Sequence, residues 1–301
     1  MIHIDKVTVR FGEKTVLDSI DVQFKPGEII GLVAPNGTGK STLLNVLMNY
    51  VSPTSGQVIF NENLKYSNQK SEADIHSKIT MMADQSDLYN HLNGRDHLNI
   101  YKKMWHKTAI NPDEVIEALK MNHYVNNKVR TYSLGMRQRL CLAMQIVSNT
   151  PFMLMDEVMN GLDPDNVELI SKMLEKKREE GKIIVIASHL LENLEKYADR
   201  IFFLKDGMFI YETNNETKKN DETIYLKFSS RDNNNVLKKI QNNREPLEYQ
   251  ILTNERVIMN TKQFSGKDII DIQTLLAEQY SIRSQIGSLD LADRYSLHYK
   301  P

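Results

Sequence analysis

One segment constrains the architecture more than any other: "EIIGLVAPNGTGKSTLLNVLMNY", Glu28 to Tyr50. It opens with a continuous apolar run, which suits a strand buried on both faces of a parallel sheet. It passes through a short loop holding Gly37 and Gly39, where the chain must bend tightly and bring its backbone close to what it meets. It ends in "STLLNVLMNY", which reads as a helix. A strand feeding a helix through such a loop aims backbone N–H groups and a helix N-terminus at one point, and so favours an anion there.

The loop fits most of the phosphate-binding pattern G-x-x-x-x-G-K-S/T. Gly39, Lys40 and Ser41 supply its second half, but Ala34 stands where the pattern has its first glycine. Ala34 sits where the strand is only just ending, and a residue with negative φ fits there without strain. The cradle is therefore expected to be Asn36, Gly37, Thr38, Gly39, Lys40, Ser41 and Thr42. Lys40 would reach the terminal phosphates and Ser41 would hold Mg²⁺.

A second apolar run, in "PFMLMDEVMNGLD", ends in the adjacent carboxylates Asp156 and Glu157. Carboxylates at the tip of a buried strand are costly unless a cation or a proton-transfer task meets them. Alone, such a pair is commonly just the start of a loop. Downstream of a phosphate loop, it assigns Asp156 to the Mg²⁺ shell and Glu157 to the attacking water. A third run, "KIIVIASH", leaves His189 after another strand, and open parallel sheets bind ligands at those C-terminal strand ends.

The remaining patterns divide the chain in two. "IHIDKVTVRF" alternates apolar and polar residues as a half-buried strand does. "LDSIDVQFKPGEIIGLVA" reads as two strands parted by Pro26-Gly27. From about Asp84 to Val147 the pattern is mostly helical. "RIFFLKDGMFIYE" reads as a hairpin turning at Asp206-Gly207. "TNNETKKNDET" is polar without an apolar period and reads as a linker. Beyond it come a strand, a helix, two strands and a helix with Ile269, Ile272 and Leu276 on one face, a small α+β module of about 80 residues.

Composition excludes several classes. The 301 residues are 41% hydrophobic with a formal net charge of −1, whereas a dedicated nucleic-acid binder carries a basic excess, so no nucleic acid is expected. The single cysteine, Cys141, cannot form an internal disulfide and lies in the helix-like run "RLCLAMQIV", where it reads as a small buried side chain. The N-terminus lacks the apolar core of a signal peptide. The apolar runs fall short of the roughly 20 residues that span a bilayer. The expectation is a soluble, cytoplasmic protein whose membrane role requires a partner.

Taken in order, the motifs resemble the ATP-binding subunit of a bacterial ABC transporter over roughly residues 1 to 212. "YSLGMRQRL" resembles the family's signature segment. It departs from the commonest form at Leu134 and Met136, and is similar to the "YS-x-GM-x-Q-R/K-L" of exporter-type members. The resemblance implies that Ser133 and Gly135 meet the γ-phosphate of ATP held by a second subunit. It implies that Gln85, in "MMADQSDLYNHL", touches Mg²⁺ and water and passes motion to a permease. It further implies that Asp163, in "GLDP", crosses the dimer interface, that His189 contacts the γ-phosphate and that Phe11 stacks on adenine. Each residue also has a plainer reading: Ser133 as a helix cap, Asp163 as part of a turn before a helix, Gln85 as a surface residue, His189 as structural, Phe11 as an ordinary strand aromatic. Val158 and Met159 replace the family's usual proline and threonine, which is expected to tune the rate without removing a carboxylate.

The implied fold is α/β, a P-loop NTPase of the ABC nucleotide-binding type over residues 1–212, with N-terminal antiparallel β strands and a helical insert at about 86–140. A linker at 213–222 and a C-terminal α+β accessory module at 223–301 complete it. The implied activity is hydrolysis of ATP with Mg²⁺ by a homodimer or heterodimer closed around two ATP. The dimer would drive a separately encoded transmembrane permease from the inner face of the cell membrane. The signature segment and the tail "GSLDLADRYSLHYK" resemble exporters of antibiotics, peptides, lipids or polysaccharides. Two other readings stand beside this one. A soluble ABC ATPase acting on ribosomes or nucleic acid fits poorly with one domain, close motif spacing and no basic stripe. A regulatory nucleotide-binding module would lack a carboxylate, the glutamine or the histidine, and all are present.

Overall fold

The alternation of strand, turn and helix signals resolves, in a computed structural model, into two compact units, Met1–Thr213 and Asn214–Pro301. The structure describes residues 1–159, 162–189, 191–214, 223–230, 232–241, 247–252 and 255–299. Most of the linker expected at 213–222 lies outside them.

In the first unit, β1 (Ile2–Phe11) pairs antiparallel with β2 (Lys14–Phe24). Pro26 and Gly27, the latter at φ 75°, turn the chain into β3 (Glu28–Val33), which is buried from its second residue onward. After the glycine loop come α1 (Lys40–Leu47), β4 (Ser55–Phe60) and β5 (Leu64–Lys65). These strands close an antiparallel sheet in the order β2-β1-β4-β5. α2 (Gln69–His76), opened by an Asn68 capping box, leads to β6 (Ile79–Met81).

The insert follows as α3 (Gly94–Met104), α4 (Pro112–Ala118) and α5 (Leu134–Ser148). Pro112 opens α4, where its missing N–H removes no helical bond. The chain then alternates through β7 (Phe152–Asp156), α6 (Pro164–Glu179), β8 (Ile183–Ala187), α7 (Leu191–Tyr197), β9 (Arg200–Lys205) and β10 (Met208–Asn214). Asp206 (φ 50°) and Gly207 (φ 80°) are both left-handed, as the two-residue turn between β9 and β10 requires.

The second sheet has the order β10-β9-β3-β8-β7-β6, and β9, β3, β8, β7 and β6 run parallel. Every residue of β8 is buried, which is why its sequence is a continuous apolar run. The register sets Asp156 opposite Ala187, so the loops after β3, β7 and β8 emerge along one edge.

The second unit contains β11 (Tyr225–Ser229), α8 (Asn233–Gln241), β12 (Gln250–Ile251), β13 (Arg256–Asn260), α9 (Gly266–Tyr280), β14 (Ser284–Gly287) and α10 (Leu291–His298). All its strand pairs are antiparallel in the order β12-β13-β11-β14, the split βαβ arrangement of the ferredoxin-like type. Leu226, Phe228, Val257 and Met259 pack with Val236, Ile240, Ile272 and Leu276 of α8 and α9. Tyr225 and Ile258 pack instead with Leu289 and Leu297. Asp293, fully buried, accepts from Lys227 Nζ at 3.1 Å and from Arg256 Nη1 at 2.7 Å. The first of the two strands expected after α8 is only two residues long, Gln250–Ile251, and β14 carries too little apolar pattern to be read from sequence.

Candidate functional site

The loop after β3 begins at Ala34, which is fully buried and is not among the residues with positive φ. Alanine therefore causes no backbone strain at the loop entrance. Its carbonyl accepts a 2.6 Å bond from Lys40 Nζ, and the Pro35 carbonyl accepts another at 3.2 Å. The glycines with a steric task lie further in. Gly37 has φ 78° and Gly39 φ 115°, and a Cβ on Gly39 would stand 3.0 Å from the Val16 carbonyl oxygen. Thr38 Oγ1 donates to the Pro35 carbonyl at 2.7 Å and ties the loop to its own start. Asn36, Gly37, Gly39, Lys40, Ser41 and Thr42 line a cavity of about 320 Å³ whose far wall is Asp156 and Glu157.

Ser41 Oγ donates to Asp156 Oδ2 at 2.8 Å, so strand β7 and helix α1 meet at the cavity floor. Burial pushes the Asp156 carboxyl up, against the Ser41 bond that pulls it down. Burial likewise pushes the Lys40 ammonium down, against the attraction of Glu157 and Asp156. A hydroxyl and a carboxylate side by side are the hard oxygen donors that Mg²⁺ takes, so these residues fit that ion.

Glu157 holds a left-handed backbone at φ 53°, a conformation that costs a non-glycine residue of order 1–3 kcal/mol. Its N–H donates to the Ala187 carbonyl at 2.9 Å. On the other side, Gln138 Nε2 donates to the Glu157 carbonyl at 3.2 Å and to the Val158 carbonyl at 2.9 Å. A proline at 158 would drive the preceding residue toward extended backbone, whereas Val158 allows the left-handed turn. Val158 and Met159 are themselves buried, so this departure from the common pattern lies in packing and backbone, not in polar chemistry. Glu157 Oε1 lies 2.8 Å from His189 Nδ1, and Oε2 is buried with no hydrogen-bond partner among the described residues.

Gln85 lies in a 3-10 turn shortly after β6 and donates to Gln138 Oε1 at 2.5 Å. Gln85, Gln138, Asp156 and Glu157 share the wall of a larger groove of about 690 Å³, which also carries Tyr50, Tyr101 and Met104. The two carboxylates thus stand between the phosphate-loop cavity and this groove. Gln138 is the residue that motif reading missed. Its signal was available as the spacing Gln138, Cys141, Gln145, which puts two amides on the buried face of α5.

Other expected residues lie apart from the cavity. Ser133 is exposed and caps α5 by accepting from the Met136 N–H at 3.3 Å, with Gly135 just inside the helix. Asp163 caps α6 by accepting from the Asn166 N–H at 2.8 Å, while Gly161 of the same motif lies outside the described residues. Phe11, 54% exposed, ends β1, and among the described residues it is Val16 of β2 that reaches the cavity wall.

Residues 17–160 match the family described as ABC transporter. The bacitracin transport ATP-binding protein BcrA of Enterococcus faecalis is 32% identical over 219 residues, covering 71% of this chain and 69% of that protein. The chain belongs to the ABC transporter ATP-binding proteins. The lantibiotic transport ATP-binding protein SrtF of Streptococcus pyogenes is 29% identical over 225 residues, covering 75% of this ABC ATPase and 96% of the relative. A solved dimeric ATP-binding cassette, in a post-hydrolysis state bound to ADP and Pi, superimposes with a TM-score of 0.62 at 27% identity, covering 71% of this chain and 98% of its own. The ABC-type P-loop NTPase fold that the motifs imply is the fold observed, and the chain is an ATP-hydrolysing member of the family.

Proposed function

We propose that this ABC ATPase is the nucleotide-binding subunit of an exporter, acting as a dimer of such subunits on the inner face of a membrane. The observation that carries the reading is the meeting of Ser41, Asp156, Glu157 and His189 at the strand ends that flank the phosphate loop. The loop N–H groups and Lys40 bind the phosphates. Ser41, Asp156 and Gln85 would hold Mg²⁺, which supplies charge neutralisation on the phosphates when bound. Glu157 accepts the proton of the attacking water and His189 Nδ1 holds its carboxylate in place. Ser133, Gly135 and Asp163, which sit apart from their own chain's cavity, complete the site of the other subunit. Phe11 stacks on adenine.

The names of the two relatives, one for lantibiotic and one for bacitracin transport, support a peptide-antibiotic cargo. No described helix is long and apolar enough to cross a membrane, so attachment runs through a permease, engaged at the groove beside Gln85. The division into an ATPase domain at 1–212, a linker at 213–222 and an accessory module at 223–301 completes the reading. Co-purification from membranes tests it: the chain should come down with an integral membrane protein. ATP turnover of that complex should rise with a lantibiotic- or bacitracin-type peptide. A chain recovered alone, with turnover unmoved by either peptide, would rule out the exporter role.

A further inference from the structure

The line of bonds from Gln85 through Gln138 to the backbone at Glu157 exceeds what a helix needs to pack. Gln138 is 4% exposed. Its Nε2 donates to the carbonyls of Glu157 and Val158, at 3.2 and 2.9 Å, and its Oε1 accepts from Gln85 Nε2 at 2.5 Å. Carbonyl oxygens can only accept, so they fix which end of the Gln138 amide faces them. Gln138 must then turn its oxygen to Gln85, and Gln85 must present its own NH₂ group in return. That leaves Gln85 Oε1 as the atom able to accept a hydrogen bond or ligate a cation. The same two carbonyls belong to the left-handed turn that aims Glu157 at His189. Gln145, seven residues along α5, fastens the helix to the sheet in a parallel way, donating to the carbonyls of Thr80 and Leu154 at 3.1 and 2.9 Å, but it reaches neither Glu157 nor Gln85.

We propose that Gln138 is a positioning residue for ATP hydrolysis: it fixes the backbone at Glu157 and the amide orientation of Gln85, so that the groove and the carboxylate move together. The proposal rests on Glu157 being the group that orients the attacking water. Displacing a reacting group by 1 Å costs about 100-fold in rate.

The test uses the purified full-length chain. Gln138→Met keeps the side-chain length and removes all three bonds. Its kcat should fall about 10- to 100-fold while KM and the affinity for a fluorescent ATP analogue stay within about twofold. Hydrogen exchange at the Glu157 and Val158 amides should quicken in the same variant. Gln145→Met should lower Tm at least as much yet keep kcat within about twofold, which separates positioning from mere packing. Gln85→Ala should lower kcat by a smaller factor in the Gln138→Met background than in the wild type, because the linkage between the two residues is already broken there. Unchanged kcat in Gln138→Met, or an equal loss in Gln145→Met, overturns the proposal. Turnover that survives Glu157→Gln instead removes the reading beneath it, a distinct result from failure of Gln138 alone.

Discussion

His189 Nδ1 and Glu157 Oε1 lie 2.8 Å apart, although 32 residues separate them along the chain. The bond joins the ends of two neighbouring parallel strands and leaves Glu157 Oε2 buried without a partner among the described residues. An unsatisfied buried carboxylate oxygen costs stability, so its retention points to a proton-transfer task. Glu157→Gln should lower kcat about 100-fold or more while ATP binding persists, and His189→Ala should lower it about 10-fold or more. Single-turnover ATPase measurements with a parallel binding titration check both. Loss of binding equal to loss of rate would assign these residues to the phosphates instead.

The loop entrance and the loop interior should respond differently to substitution. Ala34→Gly should leave ATP affinity within about twofold, because residue 34 needs no positive φ and contributes its carbonyl, not its side chain, to Lys40. Gly39→Ala should lower affinity about 10-fold or more, because a left-handed backbone and a backbone carbonyl both oppose a Cβ there. Isothermal titration with ATP distinguishes the two. A large gain in Ala34→Gly would show that the alanine compromises the cradle.

Asp156 should be held for function at a cost to stability. Burial raises its pKa in the folded state, so the charged form destabilises the fold wherever the pH exceeds that raised value, and the cost vanishes below the ordinary value of 3.8. Asp156→Asn keeps an acceptor for Ser41 and removes the charge. It should abolish most ATPase activity yet melt about 1–3 °C higher than the wild type at neutral pH. The gap should open as pH rises above 3.8 and level off once pH exceeds the raised folded value. A melting point that falls in the variant at every pH would contradict the assignment.

Asp293 should be the electrostatic anchor of the second unit. Against its burial, Arg256 and Lys227 hold its carboxyl below the usual range, so this stabilisation is present above pH 3.8 and is lost as pH falls through the lower folded value. Asp293→Ala removes the buried acceptor of both cations, leaving Arg256 and Lys227 the more exposed Asp290 and Lys227 the Ser288 carbonyl, and should destabilise the unit by about 1–3 kcal/mol. Hydrogen exchange of β11 and β13 measures this directly. Protection unchanged from wild type would mean that these ion pairs add nothing to the unit's stability.

Much of the first unit was legible because its signals are local. The apolar runs of β3, β7 and β8 each declare a strand buried on both faces, and Gly37 and Gly39 declare the bend between strand and helix. The second unit was legible only as a list of elements. Its pairing of β11 with both β13 and β14 joins segments separated by a helix or more, and "SQIG" has no period to betray a strand.

The sequence by itself determined the chemistry available: a lysine and a serine after a glycine turn, two carboxylates after one buried strand and a histidine after another. Short-range steric and hydrophobic periodicities are enough for that. Only the tertiary structure decided the geometry. The parallel register of β7 against β8 brings Glu157 to His189, and the packing of α5 carries Gln138 to the carbonyls behind Glu157. Those contacts depend on how distant segments meet. A left-handed glutamate backbone is stable only where bonds from β8 and α5 hold it, so no local pattern could have announced it.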